Sequence, residues 1–196
     1  MIEGCSSGSS IDASQVEIVS KVEYNIPLPQ RNQTVKLPDR RITRQLVEAD
    51  LSARNYLGKK ILIVDDQSFN IDASLIILNH AVGINTEAEC SIAYNGKEAV
   101  KMVQESYYAN NCRNGYELIL MDCNMPFLDG YEATSQIRHF LFLKQQRQPI
   151  IVACTGHTEQ TYIDKAIHAG MNKVMSKPLD PQILKKVVQF VRLIAA

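Results

Sequence analysis

Short, unbroken apolar runs alternate with longer stretches in which apolar residues recur every three or four positions. The clearest runs are Ile61-Leu62-Ile63-Val64, Leu118-Ile119-Leu120-Met121 and Ile150-Ile151-Val152-Ala153. Runs of this length and continuity are the pattern of strands buried on both faces of a parallel sheet. Five strands are expected, over about 60–65, 87–93, 117–121, 149–154 and 173–176. Helical periodicity fills the gaps. It predicts helices over about 68–81, with Ser68 as a cap and Gly83 as a stop, from Gly96 onward, and over 131–143, 159–169 and 180–194. A polar loop, Ser106 to Gly115, is expected before the third strand. Repeated strand–helix alternation forces parallel pairing with right-handed crossovers, so the fold class is α/β with helices on both sheet faces.

The N-terminal third reads differently. Gly4-Cys5-Ser6-Ser7-Gly8-Ser9-Ser10 is low-complexity, and Pro27, Pro29 and Pro38 punctuate a polar stretch. Residues 1–38 are therefore expected to be a flexible extension. From Asp39 the apolar residues Ile42, Leu46, Val47 and Leu51 fall at helical spacing, with Arg40, Arg41, Arg44 and Arg54 on the polar side. Residues 39–58 are expected to be a linker helix, broken by Gly58, and 59–196 the folded domain.

Composition narrows the function classes. Lys+Arg and Asp+Glu both number 21, a formal net charge of zero, which gives no electrostatic case for a nucleic-acid or anionic-membrane partner. No apolar run approaches the roughly 20 residues that span a bilayer, and the N-terminus lacks the basic-then-apolar order of a secretory signal. A cytoplasmic protein is expected, in which Asn32-Gln33-Thr34 is an idle glycosylation match. The five cysteines are odd in number and lack zinc-site or redox-motif spacing, so reduced thiols are expected. Cys123, beside Asp122, reads as a small buried or half-buried filler.

The chemistry sits at strand ends. The first strand ends in Asp65-Asp66, the third in Asp122, the fourth in Thr155 and the fifth in Lys177, before Pro178. Parallel strands bring their carboxyl ends to one edge, where open α/β sheets form their binding crevice. Carboxylates gathered there repel one another unless a cation compensates. A hard divalent ion such as Mg²⁺ and a fixed ammonium are the natural remedies.

This set resembles the receiver domain of two-component response regulators. It is carried by Asp65-Asp66, by the stretch from Met121 to Ala133 that includes Asp129-Gly130-Tyr131-Glu132, by Thr155, and by Lys177-Pro178. The following Ile137-Arg138 makes it most similar to receivers of hybrid histidine kinases. The resemblance implies a three-layer αβα, flavodoxin-like (CheY-like) sheet of order 2-1-3-4-5. It implies that Asp122 accepts a phosphoryl group and that Asp65, Asp66, Asp122 and the backbone carbonyl of Asn124 form the Mg²⁺ site. Thr155 and Lys177 would contact the phosphoryl group, and Lys177-Pro178 would be cis. The switching face would be helix four, strand five and helix five. Relatives often carry an aromatic residue three positions before the Lys, where this chain has Val174, which puts a ring-rotation readout in doubt. Gly156 should loosen the loop after strand four, and Asn124 and His157 should set signal lifetime.

The implied partner is a histidine kinase or histidine phosphotransfer protein, the chain being either a single-domain regulator with an N-terminal extension or part of a hybrid kinase. None of His80, His139, His157 and His168 reads as a phosphotransfer histidine. The domain is expected to be a signalling acceptor and not an enzyme. Alternatives are an interaction module that no longer uses phosphate and a phosphatase of the haloacid dehalogenase type. The latter normally has a second Asp two residues after its nucleophile, where this chain has Asn124 after Asp122 and Gln67 after Asp65. A flavodoxin would need a hydroxyl-rich phosphate loop after the first strand, which the chain lacks.

Overall fold

A computed structural model describes Tyr56, residues 58–110, Arg113, and residues 115–157 and 159–195. The expected extension over 1–38 and nearly all of the linker over 39–58 lie outside the described residues. Five strands, β1 (Ile61–Val64), β2 (Cys90–Ala93), β3 (Leu118–Asp122), β4 (Ile150–Thr155) and β5 (Lys173–Ser176), pair in parallel in the order β2-β1-β3-β4-β5. Between them run α1 (Ser68–Ile76), α2 (Gly96–Ala109), α3 (Gly130–Leu143) and α4 (Gln160–His168), and α5 (Pro181–Ala195) follows β5.

Alternate residues of each strand serve opposite faces, as the two-residue strand period requires. Leu62, Val64, Ile119, Met121, Ile151 and Ala153 join one buried cluster, with Val103 of α2, Ile137 of α3 and Ala166 of α4. Ile61, Ile63, Leu118, Leu120, Val152 and Cys154 join the other, with Ile71 of α1 and Leu184 and Val188 of α5. The three central strands β1, β3 and β4 are thus buried on both sides, which is why their runs are continuous and not alternating.

Three expectations are corrected. The chain over Thr86–Glu89 is a single helical turn, so β2 begins at Cys90 and not at 87. Asn85 caps that turn by accepting from Ala88 N–H at 3.2 Å, and its two glutamates lie close to the positive helix end. Ser106–Ala109 belong to α2 and not to a loop. Tyr107 is buried and packs edge-on against Phe140 of α3 at 5.6 Å, which extends the helix through a polar stretch. Ser68 opens α1 without capping it; the N-cap residue is Gln67, whose N–H donates to the Asp65 carboxylate at 3.0 Å. Beyond Ile76 the chain widens into a π-helical segment, Ile77–Val82, which packs on α5 through the fully buried Leu78 and stops at Gly83 with φ 80°.

Arg138, known from sequence only as part of a signature, pins three elements together. Its guanidinium donates to the carbonyls of Gly170 (3.0 Å) and Pro149 (2.7 Å) and to the side-chain oxygens of Gln148 (3.2 Å) and Asn172 (2.8 Å). Asn172 Oδ1 also accepts from Ile151 N–H at 2.8 Å, so α3 is tied to the start of β4 and to the turn before β5.

Backbone packing is closest at Gly130. A Cβ there would lie 2.0 Å from the Asp122 carbonyl oxygen, whereas one at Gly156 would meet nothing within 4 Å. Gly130→Ala is expected to cost at least about 2 kcal/mol, because the neighbour is rigid backbone. Gly156→Ala should be neutral or stabilising by up to about 1 kcal/mol. Urea unfolding of the two variants checks this contrast; equal stabilities would contradict the packing at Gly130.

Candidate functional site

Strand ends and helix starts meet at the carboxyl edge of β1, β3 and β4. Each of Asp65, Asp66 and Asp122 offers a carboxylate oxygen within 4.8 Å of the others. Asp65 and Asp122 are buried, at 4% and 5% exposure, and Asp66 is half-buried. So many anionic oxygens in so little space need a positive partner. Lys177, carried to the same edge by β5, supplies one. Its Nζ lies 2.6 Å from Asp65 Oδ2 and 2.9 Å from Asp122 Oδ1. It was expected to meet Asp122; it meets both. The Lys177–Pro178 bond is cis, as the resemblance implied.

The two buried carboxylates differ in their surroundings. Asp65 has both oxygens engaged: Oδ2 by Lys177, and Oδ1 by the N–H of Gln67 and by Asn70 Nδ2, each at 3.0 Å. Asp122 accepts from Lys177 and from the backbone N–H of Asn124, yet burial outweighs both and pushes its carboxyl above the usual range, with the charge of Asp65 adding to the rise. Burial works against the Lys177 ammonium as well, but hydrogen bonds to Asp65 and Asp122 win and hold its pKa above the ordinary lysine value. The ammonium is therefore fixed in its charged form beside Asp122.

The loop after β3 is shaped by short contacts. Gly130 N–H donates to the Cys123 carbonyl at 3.0 Å, and Asp129 caps α3 by accepting from Glu132 N–H at 2.8 Å. Between them Phe127 takes a left-handed backbone, φ 68°, uncommon for a bulky side chain, and stands 81% exposed beside the site. Cys123 is fully buried, as expected of a filler. Thr155 is buried, at 2%, at the end of β4 in the register Thr155↔Ser176. Its Oγ1 accepts from His157 N–H at 3.1 Å.

All five predicted side chains thus reach one sheet edge. Asn124 is exposed and contributes its N–H to Asp122. Sequence reasoning missed Asn70 and Gln67, which fix Asp65. The available signal was a polar residue in the first turn of a helix just after the acidic doublet, a place where side chains point back at the strand end. A cavity of about 70 Å³ opens behind Lys177 and Asp65, lined by Asn70, Ser74, Ile77, Cys154 and Leu179 among others. Among the described residues no helix is long and apolar enough to cross a membrane.

The carboxylate set fits a hard divalent cation: oxygen donors only, close together, with Asp66 still partly open to solvent.

Comparison with known proteins agrees with this geometry. The profile of the response regulator receiver domain matches residues 61–189. Hybrid signal transduction histidine kinase B of Dictyostelium discoideum is 33% identical over 129 residues, which is 62% of this chain and 6% of that protein. Hence the chain spans only a small fraction of the length of such curated relatives. Among solved structures, the receiver domain of Ssk1 from Saccharomyces cerevisiae, crystallised with the histidine phosphotransfer protein Ypd1, superposes with a TM-score of 0.56. It is 30% identical and covers 67% of this chain and 86% of that one. The receiver domain of the Arabidopsis thaliana histidine kinase CKI1, crystallised with Mg²⁺ and BeF3⁻, gives a TM-score of 0.58 at 28% identity, over 72% and 95% of the two chains. With a family match over most of its described residues and the acidic strand-end site in place, the chain belongs to the response regulator receiver domains of two-component signalling.

Proposed function

We propose that Asp122 accepts a phosphoryl group from a phosphohistidine donor. The observation that carries this reading is the shared edge: three carboxylates within 4.8 Å, two of them bridged by one ammonium. A carboxylate oxygen of Asp122 attacks phosphorus, the phosphorus–nitrogen bond to the donor histidine breaks, and the imidazole leaves as the neutral ring after taking a proton. Asp66 and Asp122 would hold Mg²⁺ with the carbonyl of Asn124, and Asp65 would contact the metal or its waters. The metal, when bound, neutralises charge on the phosphoryl oxygens.

The chain's own residues do the remaining work. Asn70 and Gln67 keep Asp65 in place, and Asp65 keeps Lys177 at the edge. Lys177, already charged and 2.9 Å from Asp122, follows the incoming phosphoryl group as a point charge. Thr155 turns its hydroxyl from the His157 N–H toward a phosphoryl oxygen. The acceptor side chain goes from about −1 to about −2, and that extra charge biases the face formed by α4, β5 and α5. His157 and Asn124 stand where they set water access and hence lifetime. The domain acts as a cytoplasmic signalling acceptor with at most self-directed hydrolysis.

A histidine phosphotransfer protein or histidine kinase is the proposed partner, supported by the likeness to the Ssk1 receiver that binds Ypd1. Likeness to hybrid kinase receivers supports an origin within such a kinase.

Incubation with acetyl phosphate and Mg²⁺ is expected to label the protein once, and Asp122→Asn to abolish the label; labelling that persists in this variant would overturn the assignment. Asp66→Asn should weaken Mg²⁺ binding by about tenfold or more in a direct titration, as removal of a ligand does. Lys177→Met leaves two buried carboxylates facing each other and should cost about 3 kcal/mol at neutral pH in the metal-free protein. The cost has a defined pH dependence. Because the folded-state pKa of Asp122 is raised, the unfolded chain loses its proton first as pH rises, and stability falls through the window above the ordinary carboxylate value. Urea unfolding between pH 4 and 8 should therefore show the variant recovering toward the acid end, and a pH-independent deficit would contradict the electrostatic account.

A further inference from the structure

Thr155 is joined to α4 by a short chain of contacts. Its Oγ1 accepts the backbone N–H of His157 at 3.1 Å. The His157 ring stacks on Tyr162, in the first turn of α4, with centroids 4.5 Å apart and planes 18° apart. Glu159 Oε2 lies 3.9 Å from His157 Nδ1 on the exposed side. No aromatic residue stands on β5, whose sequence is Lys173-Val174-Met175-Ser176, so the ring next along the chain from Thr155 with an aromatic partner is that of His157.

The middle of α4 is held by other means. Lys165 Nζ lies 3.9 Å from the centroid of the Tyr131 ring and 3.7 Å from Asp129 Oδ2, both at the start of α3, and Ala166 is buried in the core. The helix is thus anchored at Lys165–Ala166, while its first turn is held by an exposed ring stack. The backbone between Thr155 and His157 has room to move, since nothing lies within 4 Å of a Cβ placed on Gly156.

We infer that His157 and Tyr162 are positioning residues that couple the Thr155 hydroxyl to the first turn of α4. The inference rests on the reading of Asp122 as the phosphoacceptor. A hydroxyl can donate and accept at once, so the two bonds compete through the position of Oγ1, which the charge-assisted bond to an anionic phosphoryl oxygen, stronger than the neutral one accepted from His157, decides. When the hydroxyl turns toward Asp122, His157 N–H loses its acceptor and the imidazole slides off the Tyr162 ring. The first turn of α4 is freed, while Lys165 and Ala166 keep the rest of the helix on α3 and the sheet. The response is local: one helical turn changes, and not the whole helix.

The chain contains no tryptophan, so Tyr162→Trp places the one tryptophan in the stack, where it can be excited selectively over the remaining tyrosines. The full chain carrying this substitution is titrated with Mg²⁺ and beryllofluoride, and a parallel sample is treated with acetyl phosphate to follow labelling of Asp122. Emission is expected to change with saturation as the imidazole leaves the indole face, and Thr155→Val in the same background is expected to lose that change. In the unsubstituted chain, the His157 ring proton resonances, shifted upfield by Tyr162, should move downfield on modification. Tyr162→Phe should retain this response, and Tyr162→Ala should abolish the upfield shift without preventing labelling. Label at Asp122 with unaltered emission and unaltered His157 resonances would overturn the relay while leaving the phosphoacceptor reading intact. An equal emission change with Thr155→Val would overturn it too. Absence of label at Asp122 in the unsubstituted chain would remove both.

Discussion

One ammonium between two buried carboxylates governs the site. Without Lys177, Asp65 and Asp122 would face each other at the edge of a sheet with little water to screen them. With it, they are held in contact, and burial keeps the Asp122 carboxyl above its usual range. A site balanced in this way is sensitive to added charge. A divalent cation relieves the repulsion, and a phosphoryl group adds negative charge back. The same lysine that stabilises the resting arrangement is in place to follow the new anion, which makes the structural and the chemical roles of Lys177 inseparable.

The fold exists to deliver those groups. Asp65, Asp122 and Thr155 sit at the ends of three adjacent parallel strands, and Lys177 follows a fourth. Their separation is set by strand register, Val64 opposite Met121 and Asp122 opposite Cys154, and not by flexible loops. Gly130 allows the backbone after β3 to close onto Asp122, and Arg138 locks α3 to β4 and to the turn before β5. Rigidity is therefore concentrated on one side of the site. The freedom lies around Gly156 and His157, where open space and an exposed ring stack replace packed side chains.

Much of this was legible in the residues because strong local signals and global packing agree. Continuous apolar runs ending in Asp, Asp, Thr and Lys located the strands and placed the site at their carboxyl ends, and the family resemblance supplied the sheet order. What was not legible depended on competition between weak signals. The segment from Thr86 to Glu89 lacks an apolar run, and the Asn85 cap won it for a helical turn. Ser106–Ala109 looked like loop until Tyr107 was seen buried against Phe140. Asn70 carried only a weak signal, its place in the first helical turn after the acidic doublet, since a polar residue there is usually solvated; three-dimensional contact reveals that it holds Asp65. The division of Lys177 between two carboxylates follows from side-chain geometry that spacing alone cannot specify.

The most direct test of the account is chemical trapping of the acceptor. An acyl phosphate is reduced by borohydride to the alcohol, which converts a phosphorylated aspartate into homoserine at the position that carried the phosphoryl group. After phosphorylation in the presence of Mg²⁺ and reduction, peptide mass spectrometry should find homoserine at position 122 and at neither Asp65 nor Asp66. Homoserine at either of those positions, or at none under conditions that leave the protein folded and Mg²⁺-bound, would contradict it.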